Sequence, residues 1–173
     1  LESIDLTGAR LVMFVNTTGE LKWTGRDRLL QWISAGGSFI GVHSASDTWH
    51  EWAPYLAMLG GEFESHPDEM EREVVVIGRN HPAMAGVQSP HVLFEEFYQL
   101  KNFDPDRVDL LLTLDDGSPI AWTREYGKGR VFYTALGHRE DVWTSPWFQQ
   151  HLTGAIWWAL GGELAPRRRA IRR

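Results

Sequence analysis

Apolar positions along the chain fall into short unbroken runs and one clear helical stripe. The runs Leu11-Val12-Met13-Phe14-Val15 and Phe39-Ile40-Gly41-Val42 lie within 10–16 and 38–43. Such runs mark strands buried on both faces. Between them, residues 26–35 carry Leu29, Leu30, Trp32 and Ile33 on one side and end at Gly36-Gly37, which predicts a helix with a glycine stop. Strand, helix and strand with short joints predict a βαβ unit and a parallel pair. Downstream the pattern predicts a short helix over 53–59, stopped by Gly60-Gly61, and a strand over 73–77. Extended segments follow at 94–100, 108–114, 120–125 and 130–136, the last two joined by a hairpin turn at Tyr126-Gly127-Lys128-Gly129. There the backbone requirement of the turn explains Gly127 and Gly129. Ser145-Pro146 opens a final helix running to about Leu160.

Ligands of open parallel sheets bind beyond the carboxyl ends of the strands. Three polar clusters fall there: His43-Ser44-Ala45-Ser46-Asp47, Gly137-His138-Arg139-Glu140-Asp141 and Asn16-Thr17-Thr18-Gly19. They are expected to converge on one crevice. Glu95, Glu96 and Tyr98 lie on a segment that reaches the same edge, and His66-Pro67 follows a loop.

Composition narrows the classes. The 173 residues suit one domain, 1–173, and no apolar run approaches a membrane span. No signal peptide is evident, so the cytoplasm is the default setting. Cysteine is absent, which excludes disulfides, thiolate zinc sites and cysteine nucleophiles. The net charge is −6, yet five of the seventeen basic residues lie in the last seven positions. The body is therefore strongly acidic, which argues against nucleic acid as the main ligand. The basic tail, 166–173, reads as a solvated, flexible terminus. A homo-oligomer is compatible with all of this.

The chemistry must come from His, Glu and Asp. Of seven histidines, His151 lies within the last helix and reads as structural. His81 reads as a turn cap before Pro82. His50 and His91 sit in polar loops without a pattern. His43, His66 and His138 come from three loops, and three readings compete for them. One is a divalent metal site such as zinc, with His43, His66 and His138 or Glu96 as ligands. Another is metal-free acid–base work by His43 or His138 with Glu96. The third is structural, the histidines simply holding loops. Asp47 either orients His43, binds sugar hydroxyls or caps the following helix. Ser44 belongs to the same candidate binding loop. Tyr98 and Arg124 are hydroxyl donors or rim residues. Among nine tryptophans, Trp49 and Trp122 are candidates for stacking on a sugar ring, against the ordinary role of large core residues.

Several segments together resemble the ThuA-like (trehalose utilisation) family. They are residues 36–48, Leu59-Gly60-Gly61-Glu62-Phe63 with His66-Pro67, Asn80-His81-Pro82 and Glu95-Glu96-Phe97-Tyr98. Pro119-Ile120-Ala121-Trp122, residues 126–133 and Leu136-Gly137-His138 complete the set in order. The resemblance implies an α/β, flavodoxin-like fold of the class I glutamine amidotransferase kind. Its sheet would be mostly parallel, flanked by helices, with a C-terminal hairpin. The strand, helix and strand that usually open the family are expected to be absent from this chain. A glutaminase reaction is excluded by the missing cysteine. What the resemblance implies instead is a small-molecule sugar: a disaccharide or keto-sugar, handled by His/Glu acid–base or metal-assisted chemistry. The alternative is a non-catalytic carbohydrate-binding or accessory domain.

Overall fold

The computed structural model describes residues 5–163; the basic tail lies outside them. Strand β1 (Leu11–Val15), helix α1 (Arg26–Ser34) and strand β2 (Ser38–Val42) form the expected βαβ unit. β1 and β2 pair in parallel, from Leu11 opposite Ser38 to Val15 opposite Val42. Every residue of β2 is buried, which is why its sequence is apolar without alternation. The chain continues through α2 (Ala53–Leu59), β3 (Glu62–Ser65), β4 (Met70–Val76), β5 (His91–Glu95) and β6 (Gln99–Lys101). Then come β7 (Asp109–Leu114), β8 (Pro119–Tyr126), β9 (Gly129–Thr134), α3 (Glu140–Thr144) and α4 (Pro146–Ala159).

Seven strands make one curled sheet in the order β1-β2-β9-β8-β7-β4-β5, and β3 pairs with β6 in a small separate ribbon. Only β1–β2 and β2–β9 are parallel; β9–β8, β8–β7, β7–β4 and β4–β5 are antiparallel. This corrects the expectation of a mostly parallel, flavodoxin-like sheet. The reason lies in the connections. A parallel pair needs a crossover of roughly a dozen residues or more. β8 and β9 are joined by Gly127 and Lys128 alone, and no helix longer than a 3₁₀ turn separates β4 from β9.

The two faces of the sheet bury separate cores. Ile40, Val42, Leu112, Ile120 and Phe132 pack with Phe148 and Ala155 of α4. Phe39, Val131 and Tyr133 point the other way, onto Leu29 and Ile33 of α1 and Tyr55 and Leu59 of α2. This is the alternation of successive strand residues made visible. The β8–β9 hairpin is clamped to the end of α1. A Cβ on Gly129 would lie 2.0 Å from the Ile33 carbonyl oxygen, so the position accepts only glycine.

His81 caps a 3₁₀ turn, its side chain accepting the Ala83 N–H at 3.2 Å, as its place before Pro82 predicts. His151 is fully buried in α4, 3.1 Å from Thr134 Oγ1 and among Phe132, Trp147 and Phe148. Burial drives its pKa down to about 3. The unfolded chain therefore binds this proton below about pH 6.5 while the folded protein stays neutral until about pH 3. Stability from this group is complete above pH 6.5 and declines as the pH falls through that window. We expect urea unfolding to give a smaller loss between pH 7 and pH 4.5 in His151→Leu than in the parent, by about 2–3 kcal/mol. An equal loss in both proteins would refute the assignment.

No helix among the described residues is long and apolar enough to cross a membrane.

Candidate functional site

β2 delivers His43 to the carboxyl edge of the parallel strands in the left-handed region, at φ 51°. A non-glycine residue held there costs about 1–3 kcal/mol and persists only where its surroundings dictate it. Those surroundings are specific. The Tyr133 hydroxyl donates to the His43 carbonyl at 2.9 Å and lies 2.7 Å from Ser46 Oγ. The Tyr55 hydroxyl holds the Ala45 carbonyl at 2.8 Å. The ring of His43 is itself pinned, with Nδ1–H donating to the Ala135 carbonyl at 2.8 Å. A carbonyl only accepts, so Nδ1 carries the proton. Burial pulls the imidazole pKa down, against the opposing pull of the Ala135 carbonyl and Glu96. The neutral ring then presents a bare Nε2.

Two groups face that nitrogen. The Tyr98 hydroxyl donates to it at 2.8 Å, and Glu96 Oε2 lies 3.1 Å away. Burial raises the Tyr98 pKa far above that of an ordinary phenol, so it remains a donor. Both residues come from the break between β5 and β6. Sequence pattern predicts one extended segment over 94–100, but the chain leaves the sheet at Glu96 and re-enters a different ribbon at Gln99. The chemistry sits in that gap.

β5 is the far edge of the sheet, yet its end reaches the loop after β9, because the sheet curls. Glu95 makes the junction. Its side chain is wholly buried and accepts three backbone N–H groups: Glu96 at 2.9 Å, Gly137 at 3.0 Å and His138 at 3.2 Å. Burial raises its pKa, with the three N–H groups and His138 working the other way.

His138 is thereby set beside His43, with ring centroids 5.2 Å apart. Its Nδ1 lies 3.1 Å from Glu69 Oε1, and Arg139 donates to the other Glu69 oxygen at 2.6 Å. The three predicted loops do converge. Asn16 Nδ2 donates to the Gly137 carbonyl at 3.0 Å, Thr17 and Thr48 hydroxyls meet at 2.8 Å, and Thr18 bonds Asp47. His43, Glu96 and His138 each offer one ligand atom within 4.8 Å of the others and are the set able to hold a metal among the described residues.

The remaining candidates divide. His66 lies one step out, its Nδ1 3.2 Å from Glu96 Oε1 and 3.0 Å from the Pro67 carbonyl, and it falls outside the ligand set. Ser44, half-buried, gives its carbonyl to Thr48. Asp47 neither contacts His43 nor caps α2, whose N-cap is Trp52. It binds His50 Nε2 at 2.5 Å, while Glu62 takes His50 Nδ1 at 2.8 Å. Burial works against charging His50, but the two carboxylates prevail and raise its pKa.

Trp49 and Trp122 correct the stacking expectation. Both are completely buried, their indole N–H groups donating to the Leu21 and Leu59 carbonyls. Loop position suggested an open face; core packing among Phe14, Tyr55, Phe103 and Tyr133 removes it. Arg124 holds the Ala57 carbonyl at 2.6 Å and is remote from His43 in its contacts.

Glu69 and Tyr133 were not legible as site residues. Glu69 stands in a loop with no local pattern. Tyr133 had one usable signal: it pairs across the sheet with Gly41, whose missing side chain leaves room for the ring. His138 alone of the site histidines lines a polar cleft of about 560 Å³, with Glu69, Arg139, Glu140, Asp141 and Thr144.

The sequence profile of the ThuA family, described as trehalose utilisation, matches residues 1–159. The chain belongs to the ThuA family. Solved structures agree on the fold of this ThuA domain. A ThuA-like protein from Parabacteroides merdae superposes with a TM-score of 0.76 at 18% identity, covering 95% of this chain and 75% of that one. Another from Bacteroides uniformis gives 0.74 at 22% identity, covering 87% and 69%. The β-galactosidase of Bacillus circulans gives 0.65 at 15% identity, covering 92% of this chain and 24% of that one. Among curated proteins nothing matches.

Proposed function

We propose that this ThuA domain acts on a sugar, a disaccharide or its keto form, at the centre formed by His43, Glu96, Tyr98 and His138. One observation carries the reading. His43 is held at a strained backbone position with its bare Nε2 turned toward a carboxylate 3.1 Å away. The Tyr98 hydroxyl serves that nitrogen at 2.8 Å, and the carboxylate beside it favours uptake of a proton or a cation at the same point. A centre that takes up and releases such a charge is what proton transfer at a sugar carbon or oxygen requires. The family description supports a sugar as the substrate class. The polar cleft supports it too: its volume falls in the range of small-molecule sites, and its carboxylates and Arg139 suit hydroxyl groups. The absence of cysteine leaves glutaminase chemistry out. A cytoplasmic setting fits one structural neighbour, described as a cytoplasmic protein from Salmonella typhimurium.

A second reading is a carbohydrate-binding or accessory domain. It is favoured by the likeness to about a quarter of a β-galactosidase chain, where a domain of this fold forms part of a larger enzyme.

The two readings separate in one assay. Trehalose and its oxidised keto forms are incubated with the parent protein and with His43→Asn and His138→Asn, and products are followed by NMR. The expected result is turnover by the parent and a loss of about 10²–10⁴-fold in His43→Asn. Parent-like turnover in both variants would overturn the assignment of the centre. Sugar binding without turnover of any of these sugars would establish the binding module.

A further inference from the structure

We propose that His43, Glu96 and His138 bind one divalent transition-metal ion of the zinc class, which supplies the positive charge at this centre. The inference deepens the sugar-processing reading and rests on it for the reaction, though not for the binding.

The first argument is the donor set. Two imidazoles and one carboxylate, with no thiolate in the chain, form the combination that takes zinc and related ions while leaving positions open. Calcium and magnesium prefer all-oxygen shells.

The second argument is the shell behind the donors. A metal-binding histidine almost always gives its other ring nitrogen to a carbonyl or carboxylate, which fixes the ring and its tautomer. Both histidines here do so. Nδ1 of His43 is committed to the Ala135 carbonyl at 2.8 Å, and Nδ1 of His138 to Glu69 at 3.1 Å. In each ring the other nitrogen is Nε2, which in His43 now accepts from the Tyr98 hydroxyl at 2.8 Å. Glu69 is fixed in turn by Arg139 at 2.6 Å. Glu96 uses Oε2 toward His43, while its Oε1 meets His66 Nδ1 at 3.2 Å.

The third argument is distance. Bonds of 2.0–2.1 Å place tetrahedral ligand atoms about 3.3 Å apart. Nε2 of His43 and Oε2 of Glu96 already stand at 3.1 Å. All three ligand atoms lie within 4.8 Å, so His138 needs to approach by about 1.5 Å at most to reach the tetrahedral spacing. Its side chain is 43% exposed. Of the three donors, His138 also lines the polar cleft.

With the ion present, the Nε2 lone pair of His43 is spent on the metal. A bound sugar oxygen would be polarised by the ion, with Tyr98 kept as a hydroxyl donor at the centre.

The test begins with protein stripped by chelator and dialysed. Zn²⁺ is titrated by calorimetry and Co²⁺ by its visible absorption. One equivalent should bind, with the absorption of a four- or five-coordinate Co²⁺ ion containing nitrogen donors. His138→Ala should lose at least about a hundredfold in affinity. Glu69→Gln, which weakens the backing of His138 without touching a ligand atom, should lose about 10–100-fold. His91→Ala, remote from the set, should bind as the parent does. Absence of stoichiometric binding, or unchanged affinity in both His138→Ala and Glu69→Gln, would overturn the proposal. The sugar assay is run on stripped and reloaded protein. Turnover by metal-free protein would refute the ion's role and leave the sugar reading intact. Tight binding at the trio with no action on any sugar would do the reverse.

Discussion

Glu95→Ala lowers the stability of the fold by about 3–4 kcal/mol and releases His138 from His43. The side chain is fully buried and accepts the N–H groups of Glu96, Gly137 and His138. Alanine leaves three donors unpaired in a place water does not reach, at roughly 1–3 kcal/mol each. Removing a buried carboxylate returns part of that, because its own burial is unfavourable, as its raised pKa records. The net loss remains large. Glu95→Gln recovers part of it. One amide oxygen can still serve Gly137 and His138, but the amide nitrogen then meets the Glu96 N–H, donor against donor. The order expected from urea unfolding is parent, then Gln, then Ala. A loss under about 1 kcal/mol in Glu95→Ala would show that the loop after β9 is held some other way.

Glu96→Gln is expected to do the opposite: little to stability and much to function. Its side chain is 13% exposed, and its partners are His43 Nε2 and His66 Nδ1. Glutamine keeps the shape and both polar ends, so melting should change by less than a few degrees. The charge is gone, however, and with it the group that draws a proton or a cation to Nε2. Sugar turnover should fall by about 10²–10⁴-fold. Zn²⁺ affinity should fall with it. A rate within a few-fold of the parent would remove Glu96 from the centre. A collapse of the fold would mean that Glu96 supports structure in the manner of Glu95. The neighbouring pair thus divides labour: one carboxylate builds the site, the next one works in it.

Part of this was legible in the chain. The apolar runs at β1 and β2 and the stripe of α1 specify their own structure, because burial on both faces leaves no room for polar alternation. Two parallel strands then send both of their C-terminal loops to one edge, so the nearness of Asn16 and His43 follows from local pattern, while His138 joins them because β9 also pairs in parallel with β2. The direction of the remaining strands was less visible. A four-residue strand such as β3 carries no period to read, and the break at Glu96–Tyr98 looks like continuous strand until its partners are known.

What the sequence determined by itself was the βαβ unit, the edge on which the site lies and the chemistry available to a chain without cysteine. Only the tertiary structure decided the rest. It curled the sheet so that Glu95 and Glu96, more than fifty positions from His43, came back over the end of β2. It drew Trp49 and Trp122 into the core, because a large apolar ring gains more from burial than from a polar rim. It gave His66 a place behind Glu96, and Glu69 a place behind His138. Residue types and loop positions are local properties. Which nitrogen faces which oxygen is set by long-range packing, and only the folded chain contains that information.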